Sequence, residues 1–244
     1  MEEYQWIEGV LAVEAVLQAQ SREMVELLIS RDRFDGRVAR LQQLARQAGV
    51  AVSRVPAAVI DEYAPGESHG GVIARVGPRR MSALADLFAS PAPVIFVLDG
   101  VEDPYNFGQA VRSMYAAGID GLVVPTRNWL SAAATVIRAS AGATEHMPTA
   151  TAATADAAAM AQSRRIPIGV ATTDKARSMG EFDLTGPLLL LIGGEKRGVA
   201  RAVEEMADWR VSIPYGRETG YALGTAAAAA VLSFEVLRRR QAKG

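Results

Sequence analysis

Two continuous apolar runs, at residues 94–98 and 188–192, constrain the fold of this 244-residue chain more than any other feature. Each follows a proline, and such a run is typical of a strand that is buried on both faces of a parallel sheet. Other strand signals lie at 121–124, 166–171 and 210–213, and helical patterns lie between them at 109–117, 132–139, 150–161 and 223–240. This alternation predicts an α/β fold, with a parallel sheet that carries helices on both faces.

The first 77 residues show a separate α/β pattern. Apolar residues recur at helical spacing over 10–17 and again over 38–45, and strand signals lie at 26–30, 50–55 and 71–76. Two proline-bearing breaks, Gly77-Pro78 and Ser90-Pro91, follow within 17 residues. The sequence therefore predicts a small domain at 1–77, a linker at 78–93 and a larger domain at 94–244.

Composition excludes several kinds of chemistry. The chain has no cysteine, which excludes disulfide frameworks, thiolate metal sites and cysteine nucleophiles. Only two histidines are present, so we expect neither a metal site nor a conventional Ser-His-Asp triad. The first residues are acidic and polar, unlike a signal peptide, and no apolar run approaches the ~20 residues of a membrane helix. We therefore expect a cytoplasmic protein that does not enter a membrane.

The charge pattern leaves two interpretations open. The formal net charge is −1, so no overall basic field indicates a nucleic-acid partner. Lysine occurs only at 175, 196 and 243 among the 26 basic residues, and the rest are arginine. Arginine binds phosphate in a bidentate manner better than lysine does, although GC-rich coding produces the same bias.

Three glycine-containing polar segments each follow a predicted strand, where ligands gather in open α/β sheets. The first holds Asn106, Gly108 and Arg112, and the second runs from Gly193 and Gly194 through Glu195 to Gly198. The third runs from Ile213-Pro214 to Leu223 and into the terminal helix. Taken one at a time, each segment is also compatible with a simple turn or a helix cap. Asn106 and Arg112 converge only if the chain bends at Gly108.

In this order and spacing, the three segments resemble the SPOUT class of RNA methyltransferases, in its SpoU/TrmH branch. That family carries an N-x-G-x-x-x-R element, a G-x-E-x-x-G element and an I-P element that leads into the last helix. The stretch 140–148 is similar to a segment that the family has between the first two elements. A Gly9, Val13 and Leu17 helix and the stretch 69–72 are similar to parts of its RNA-binding domain. The resemblance spans nearly the whole chain.

The resemblance implies a SPOUT fold with a deep trefoil knot, preceded by a small α/β RNA-binding domain, in a homodimer whose active site lies at the subunit interface. It implies S-adenosylmethionine as the cofactor, and methyl transfer to a ribose 2′-hydroxyl of ribosomal RNA or of transfer RNA. The implied catalytic residues are Arg112, Asn106 and Glu195, and the implied cofactor-binding residues are Gly193, Gly194, Ile213 and Leu223. Arginine is normally too basic to accept a proton, so the role of Arg112 as phosphate anchor and orienting donor needs no perturbation.

The chain departs from the family pattern in the third element. Ala222-Leu223-Gly224 stands where the family usually has Ser-Leu-Asn, and Tyr215 stands in place of a methionine. Thr219, Tyr221 and Thr225 are the candidates to replace the missing polar side chains. The alternative function is therefore a catalytically weak SPOUT protein that binds RNA and the cofactor.

Overall fold

The computed structural model describes residues 4–126, 132–194 and 198–243. Contacts within the chain divide it into two compact units. Unit 1 consists of Met1–Arg80 with Asn128–His146, and unit 2 consists of Met81–Arg127 with Met147–Gly244.

Unit 1 is built on a four-stranded sheet in the order β1-β4-β2-β3. Strand β4 is antiparallel to β1 and β2, whereas β3 is parallel to β2. The strands are β1 (Gln5–Glu8), β2 (Arg22–Ser30), β3 (Ala51–Val55) and β4 (Val72–Arg79), and the first helices are α1 (Val10–Ala19), α2 (Gly36–Gln47) and α3 (Ala57–Tyr63). The predicted helices and strands of this region are all present. Strand β1 was not predicted, because four residues are too few to show a strand pattern.

Residues 132–146 complete unit 1, although they lie within the predicted domain at 94–244. They form α6 (Ala133–Ala139) and α7 (Ala143–His146), and Ile137 of α6 joins the apolar core beneath α1. Glu145 is buried and accepts hydrogen bonds from Ser21 Oγ and from the guanidinium of Arg22. This buried ion pair fixes α7 to the start of β2. The domain boundaries themselves stay a prediction.

Unit 2 is built on a seven-stranded sheet in the order β7-β6-β5-β10-β8-β11-β9, in which every adjacent pair is parallel. The strands are β5 (Val94–Asp99), β6 (Gly121–Val124), β7 (Thr149–Thr151), β8 (Ile168–Ala171), β9 (Arg177–Ser178), β10 (Leu188–Gly193) and β11 (Trp209–Ser212). The helices are α4 (Leu84–Leu87), α5 (Pro104–Ala116), α8 (Thr154–Ser163), α9 (Arg201–Glu204) and α10 (Thr225–Lys243). The predicted parallel sheet is confirmed.

The two apolar runs form the centre of this sheet as adjacent strands β5 and β10. Alternate residues such as Ile95 and Leu189 point into one core with α8, because side chains alternate between the faces of a strand. Phe96 and Leu190, at the intervening positions, are also buried. Helix α5 packs against α10. Burial on both faces explains why these runs contain no polar residue.

Two predicted helix starts were wrong. The alanine-rich stretch from 150 begins as strand β7, because Ala150 pairs with Val123 of β6, and sheet pairing here outweighs the helical preference of alanine. Helix α5 begins at Pro104 rather than at 109, because the Asp103 side chain accepts a hydrogen bond from the Asn106 N–H at 2.7 Å and Pro104 occupies the first helical position.

The predicted knot depends on how the loops after β10 are threaded, and residues 195–197 of these loops lie outside the described residues. The knot therefore stays a prediction. Among the helices of the described ranges, none combines the length and the apolar character needed to cross a bilayer.

Candidate active site

A cavity of about 280 Å³ lies at the carboxyl ends of β8, β10 and β11 in unit 2; we call it the strand-end cavity. Its volume is near the lower end of the range for small-molecule sites. The lining residues come from the ends of these strands, from the chain after β11 and from the first turns of α10. They include Thr172, Ile192, Gly193, Gly194, Ile213, Tyr215, Leu223 and Thr225. Parallel strands place ligand sites at this edge because their carboxyl ends lie side by side.

All four residues that the sequence singled out for the cofactor line this cavity. Gly193 and Gly194 are required by close backbone approaches. A Cβ atom on Gly193 would lie 2.3 Å from the carbonyl carbon of Gly198, and one on Gly194 would lie 2.2 Å from the carbonyl oxygen of Gly100. No real Cβ atom tolerates such distances, so these positions admit glycine alone without movement of the backbone.

The walls of the strand-end cavity combine apolar side chains with hydroxyl groups. Ile192, Ile213 and Leu223 supply apolar surface, while Thr172 and Tyr215 supply hydroxyl groups. Within the described residues, the lining contains no charged side chain. Apolar side chains combined with a few polar groups are the usual lining of a small-molecule site.

Tyr215 fixes the segment in which the chain departs from the family pattern. Its hydroxyl oxygen accepts a hydrogen bond of 2.8 Å from the backbone N–H of Leu223. Ala222 and Gly224, on either side, offer no polar side chain. The methionine that the family usually has at this position would provide only a weak acceptor. The tyrosine therefore gives this segment a hydrogen bond that the methionine would not.

A second cavity, of about 330 Å³, lies at the start of α5, and we call it the α5 cavity. It is lined by residues 100–104, Asn106 and Thr225. Asn106 is half-buried, and its side-chain amide makes no hydrogen bond within the described part of the chain. The amide is therefore available to a ligand in this cavity.

Thr225 lines both cavities. It is 5% exposed, and its hydroxyl group donates a hydrogen bond of 3.2 Å to the carbonyl oxygen of Gly193. The other two candidates to replace the missing polar groups, Thr219 and Tyr221, are exposed and line neither cavity. The Thr219 hydroxyl donates a hydrogen bond to the Tyr221 carbonyl oxygen. Of the three candidates, Thr225 alone lines the two cavities, which the sequence did not predict.

Arg112 does not converge with Asn106 within one chain. Helix α5 continues through Gly108 without a break, so the two side chains, six residues apart, lie about 120° apart around the helix axis. Arg112 is exposed, lines neither cavity, and makes no hydrogen bond or ion pair within the described residues. The bend at Gly108 that convergence required is absent.

The third predicted catalytic residue, Glu195, lies outside the described residues. One site residue, Gly100, was missed by the sequence reasoning. It has a φ of +81°, and its carbonyl oxygen forms the close approach to Gly194. Its position immediately after β5 was the available signal. Among the described residues, no group of three or more histidine, aspartate and glutamate side chains is placed to hold a metal ion.

Comparison with known proteins gives two family matches that together cover most of the chain. Residues 93–234 match the model of the SpoU rRNA Methylase family. The chain belongs to this family. Residues 6–82 match the model described as RNA 2′-O ribose methyltransferase substrate binding. The suspected SpoU/TrmH relationship is therefore confirmed.

Relatives of this SpoU family member match along nearly their full length. The chain is 32% identical to the 23S rRNA (guanosine-2′-O-)-methyltransferase RlmB of Escherichia coli (strain K12) over 239 residues, which covers 96% of this chain and 98% of that protein. It is 30% identical to the protein of the same name from Pseudomonas aeruginosa, with 98% of each chain covered.

Solved structures confirm the predicted fold class. A crystal structure of an RNA 2′-O ribose methyltransferase matches with a TM-score of 0.78 and 26% identity, and covers 98% of this chain and 90% of that chain. An AdoMet-bound rRNA methyltransferase from Sinorhizobium meliloti matches with a TM-score of 0.81 and 22% identity, over 96% of this chain and 87% of that chain. The latter likeness establishes the shared fold.

Proposed function

We propose that the protein is an S-adenosylmethionine-dependent methyltransferase that modifies a ribose 2′-hydroxyl of ribosomal RNA. One observation carries this proposal: the strand-end cavity and the α5 cavity both border on Thr225, so a cofactor site and a substrate site adjoin. Membership of the SpoU family and the RlmB relatives support this reaction class.

The residues of the strand-end cavity fit the cofactor. Ile213 and Leu223 would offer apolar surface to the adenosine, and the backbone of Gly193 and Gly194, which lies close to Gly198 and Gly100, would border it. When bound, S-adenosylmethionine supplies an electrophilic methyl group on its sulfonium sulfur.

The α5 cavity receives the target ribose. The Asn106 amide orients the ribose by hydrogen bonding. The Thr225 hydroxyl donates its proton to the Gly193 carbonyl oxygen, so its oxygen accepts a hydrogen bond from the 2′-hydroxyl. Orientation of this kind can supply about 7–11 kcal/mol of the barrier in a two-reactant step. Thr225 therefore positions the substrate in this reaction, and the family pattern assigns Glu195 a supporting role.

Arg112 acts on the RNA from a partner subunit. Its exposed guanidinium lies on a different face of α5 from Asn106 and lacks a protein acceptor among the described residues. In a homodimer, Arg112 of one subunit completes the site of the other. It anchors a phosphate and orients the target nucleotide, because guanidinium–phosphate pairs are strong and bidentate.

Ribosomal RNA is the proposed substrate in preference to transfer RNA, because the RlmB relatives are 23S rRNA methyltransferases over nearly the same length. We propose a cytoplasmic location for the protein, because ribosomal RNA is the proposed substrate. With a net charge of −1, RNA binding depends on local arginine clusters rather than on an overall basic field.

Methyl transfer from labelled S-adenosylmethionine tests the proposal directly. Ribosomal RNA from a strain that lacks the gene is incubated with the wild-type protein, with Arg112→Ala and with the control Arg201→Ala. Arg201 is another exposed arginine of unit 2, which pairs with Glu205 and lines neither cavity. We expect label in the RNA with the wild type and with Arg201→Ala, and loss of at least 100-fold with Arg112→Ala.

Two results would contradict the proposal. Calorimetric binding of S-adenosylmethionine without transfer to any RNA of that strain would favour the catalytically weak alternative. If Arg112→Ala transfers as much label to the RNA as the wild type does, the proposed roles of the arginine and of the subunit interface are wrong.

A further inference from the structure

Unit 1 contains a cavity of about 310 Å³ beside the first turn of α1, which we call the α1 cavity. Its lining includes residues 10–12 and three arginines, Arg33, Arg37 and Arg138, together with Glu8. The family match at residues 6–82 concerns substrate binding, but it does not say which face of unit 1 contacts RNA.

The first turn of α1 presents backbone donors to this cavity. The helix has ten residues, no side-chain cap on Gly9 and no acidic residue in its first turn. The N–H groups of Val10, Leu11 and Ala12 precede the first intrahelical hydrogen bond, which Val13 makes to Gly9, and they make no other hydrogen bond within the described residues. Such donors, together with the helix dipole, favour a negatively charged group.

The arginines strengthen this preference to different degrees. Arg33 is paired with Asp35 at 2.8 Å, and Arg138 is paired with Glu8 at 2.8 Å. Arg37, on the first turn of α2, makes no ion pair or side-chain hydrogen bond within the described part of the chain. Arg37 is thus the cation that is available to a phosphate at this cavity.

Glu8 points to a ligand with donors as well as negative charge. The residue is 4% exposed, one carboxylate oxygen is bound by Arg138, and the other, Oε2, has no hydrogen-bond partner among the described residues. Buried carboxylate oxygens are normally satisfied, so this oxygen calls for a donor. A nucleotide offers both groups, a phosphate for the helix terminus and hydroxyl donors on its ribose.

Phe34 adds an aromatic platform in the loop between β2 and α2. It is 83% exposed, and the guanidinium of Arg54 lies 4.6 Å from the ring centre. Arg54 is fixed there by hydrogen bonds to the carbonyl oxygens of Arg31 and Arg33. A ring that is supported by a cation on one side and exposed to solvent is suited to stacking on an unpaired base.

We propose that the α1 cavity and Phe34 together form the surface of unit 1 that binds a single-stranded segment of the RNA substrate. A phosphate lies against the first turn of α1 and Arg37, a ribose hydroxyl donates to Glu8, and a neighbouring base stacks on Phe34. The inference rests on the proposed function in one respect, that RNA is the substrate.

Fluorescence anisotropy of the full chain with a labelled 12-nucleotide single-stranded RNA tests this surface at several KCl concentrations. Phe34→Ala should weaken binding about 5- to 150-fold with no change in the salt dependence, because it removes stacking alone. Arg37→Ala should weaken binding and reduce the slope of log K against log salt by about 0.7, the value for one phosphate contact with a single strand. Arg40→Ala is the matched control, since Arg40 is exposed on the same helix, pairs with Glu14 and does not line the cavity.

Wild-type affinity in both Phe34→Ala and Arg37→Ala would overturn the inference, as would equal displacement of the RNA by a poly-glutamate peptide of the same charge. The KM for ribosomal RNA separates the two proposals. If the wild type transfers methyl groups and the two variants keep its KM, the surface is wrong and the proposed function stands. If the wild type transfers none but the variants lose RNA affinity, the surface stands and the proposed function fails.

Discussion

The hydroxyl group of Thr225, at the start of α10, donates a hydrogen bond of 3.2 Å to the carbonyl oxygen of Gly193, at the end of β10. This contact joins the terminal helix to the central strand pair at the point where the strand-end cavity and the α5 cavity adjoin. One buried hydroxyl group therefore lies at the border between the two cavities.

Thr225→Val should lower kcat for methyl transfer about tenfold with little change in the KM for S-adenosylmethionine. The substitution keeps the shape of the side chain but removes a hydrogen bond that contributes about 1 kcal/mol and the acceptor for the target hydroxyl. Steady-state kinetics measure the effect. Thr225→Ser, which restores the hydroxyl, should recover most of the activity, and equal activity in the valine and serine variants would show that the hydroxyl does not position substrate.

Gly194→Ala should lower the affinity for S-adenosylmethionine at least tenfold and destabilise the fold by about 1–3 kcal/mol. Its Cβ would lie 2.2 Å from the Gly100 carbonyl oxygen, so the backbone at the cavity must shift. Calorimetry and urea unfolding measure the two effects. Gly186→Ala is the control, because a Cβ there meets no atom within 4 Å. Wild-type affinity and stability in Gly194→Ala would show that this close approach does not shape the site.

Tyr215→Phe should weaken cofactor binding several-fold, since it removes the acceptor for the Leu223 N–H and frees the segment that lines the cavity. The matched control is Tyr221→Phe, because Tyr221 is 73% exposed and its hydroxyl makes no hydrogen bond within the described residues. The dissociation constant for S-adenosylmethionine is the measurement. An equal effect of both substitutions would argue against a specific tie at Leu223.

Glu235 should make the stability of the terminal helix depend on pH in the acid range. Hydrogen bonds from Arg238, followed by those from Arg239, hold the pKa of Glu235 at about 2, below its usual value of 4.5. Since the folded-state pKa is depressed, this stabilisation is complete above pH 4.5 and is lost as the pH falls toward 2.

Glu235→Gln should therefore lower the free energy of unfolding by about 0.5–1 kcal/mol at pH 7, the range for surface ion pairs, and by less at pH 3. Urea unfolding at the two pH values measures this difference. A deficit in the variant that is larger at pH 3 than at pH 7 would contradict the depressed pKa.

The sequence predicted the parts of the fold that depend on local pattern. The runs at 94–98 and 188–192 indicated buried strands because burial on both faces leaves no polar position. Their direct pairing was not predictable, because it depends on contacts between residues nearly a hundred positions apart. The same applies to Glu145, whose partner Arg22 lies 123 residues away.

The site was predictable where it depends on motif residues and not where it depends on orientation. Gly193, Gly194, Ile213 and Leu223, which the family resemblance assigned to the cofactor, line one cavity. Arg112 and Asn106 point in different directions because helix α5 is unbroken. The sequence did not predict this, since a glycine at 108 is compatible with either a bend or a continuous helix. The sequence did not show which of Thr225, Thr219 and Tyr221 lies at the site, because this depends on the path of the chain into α10.

The chemical position of the transferred methyl group shows whether the protein is a ribose 2′-O-methyltransferase. Ribosomal RNA from a strain that lacks the gene is treated with the protein and S-adenosylmethionine, digested to nucleosides and analysed by mass spectrometry. We expect one additional 2′-O-methylnucleoside, which is absent when Arg112→Ala replaces the wild type. A methyl group on a base, or no new methylated nucleoside under conditions in which S-adenosylmethionine binds, would contradict it.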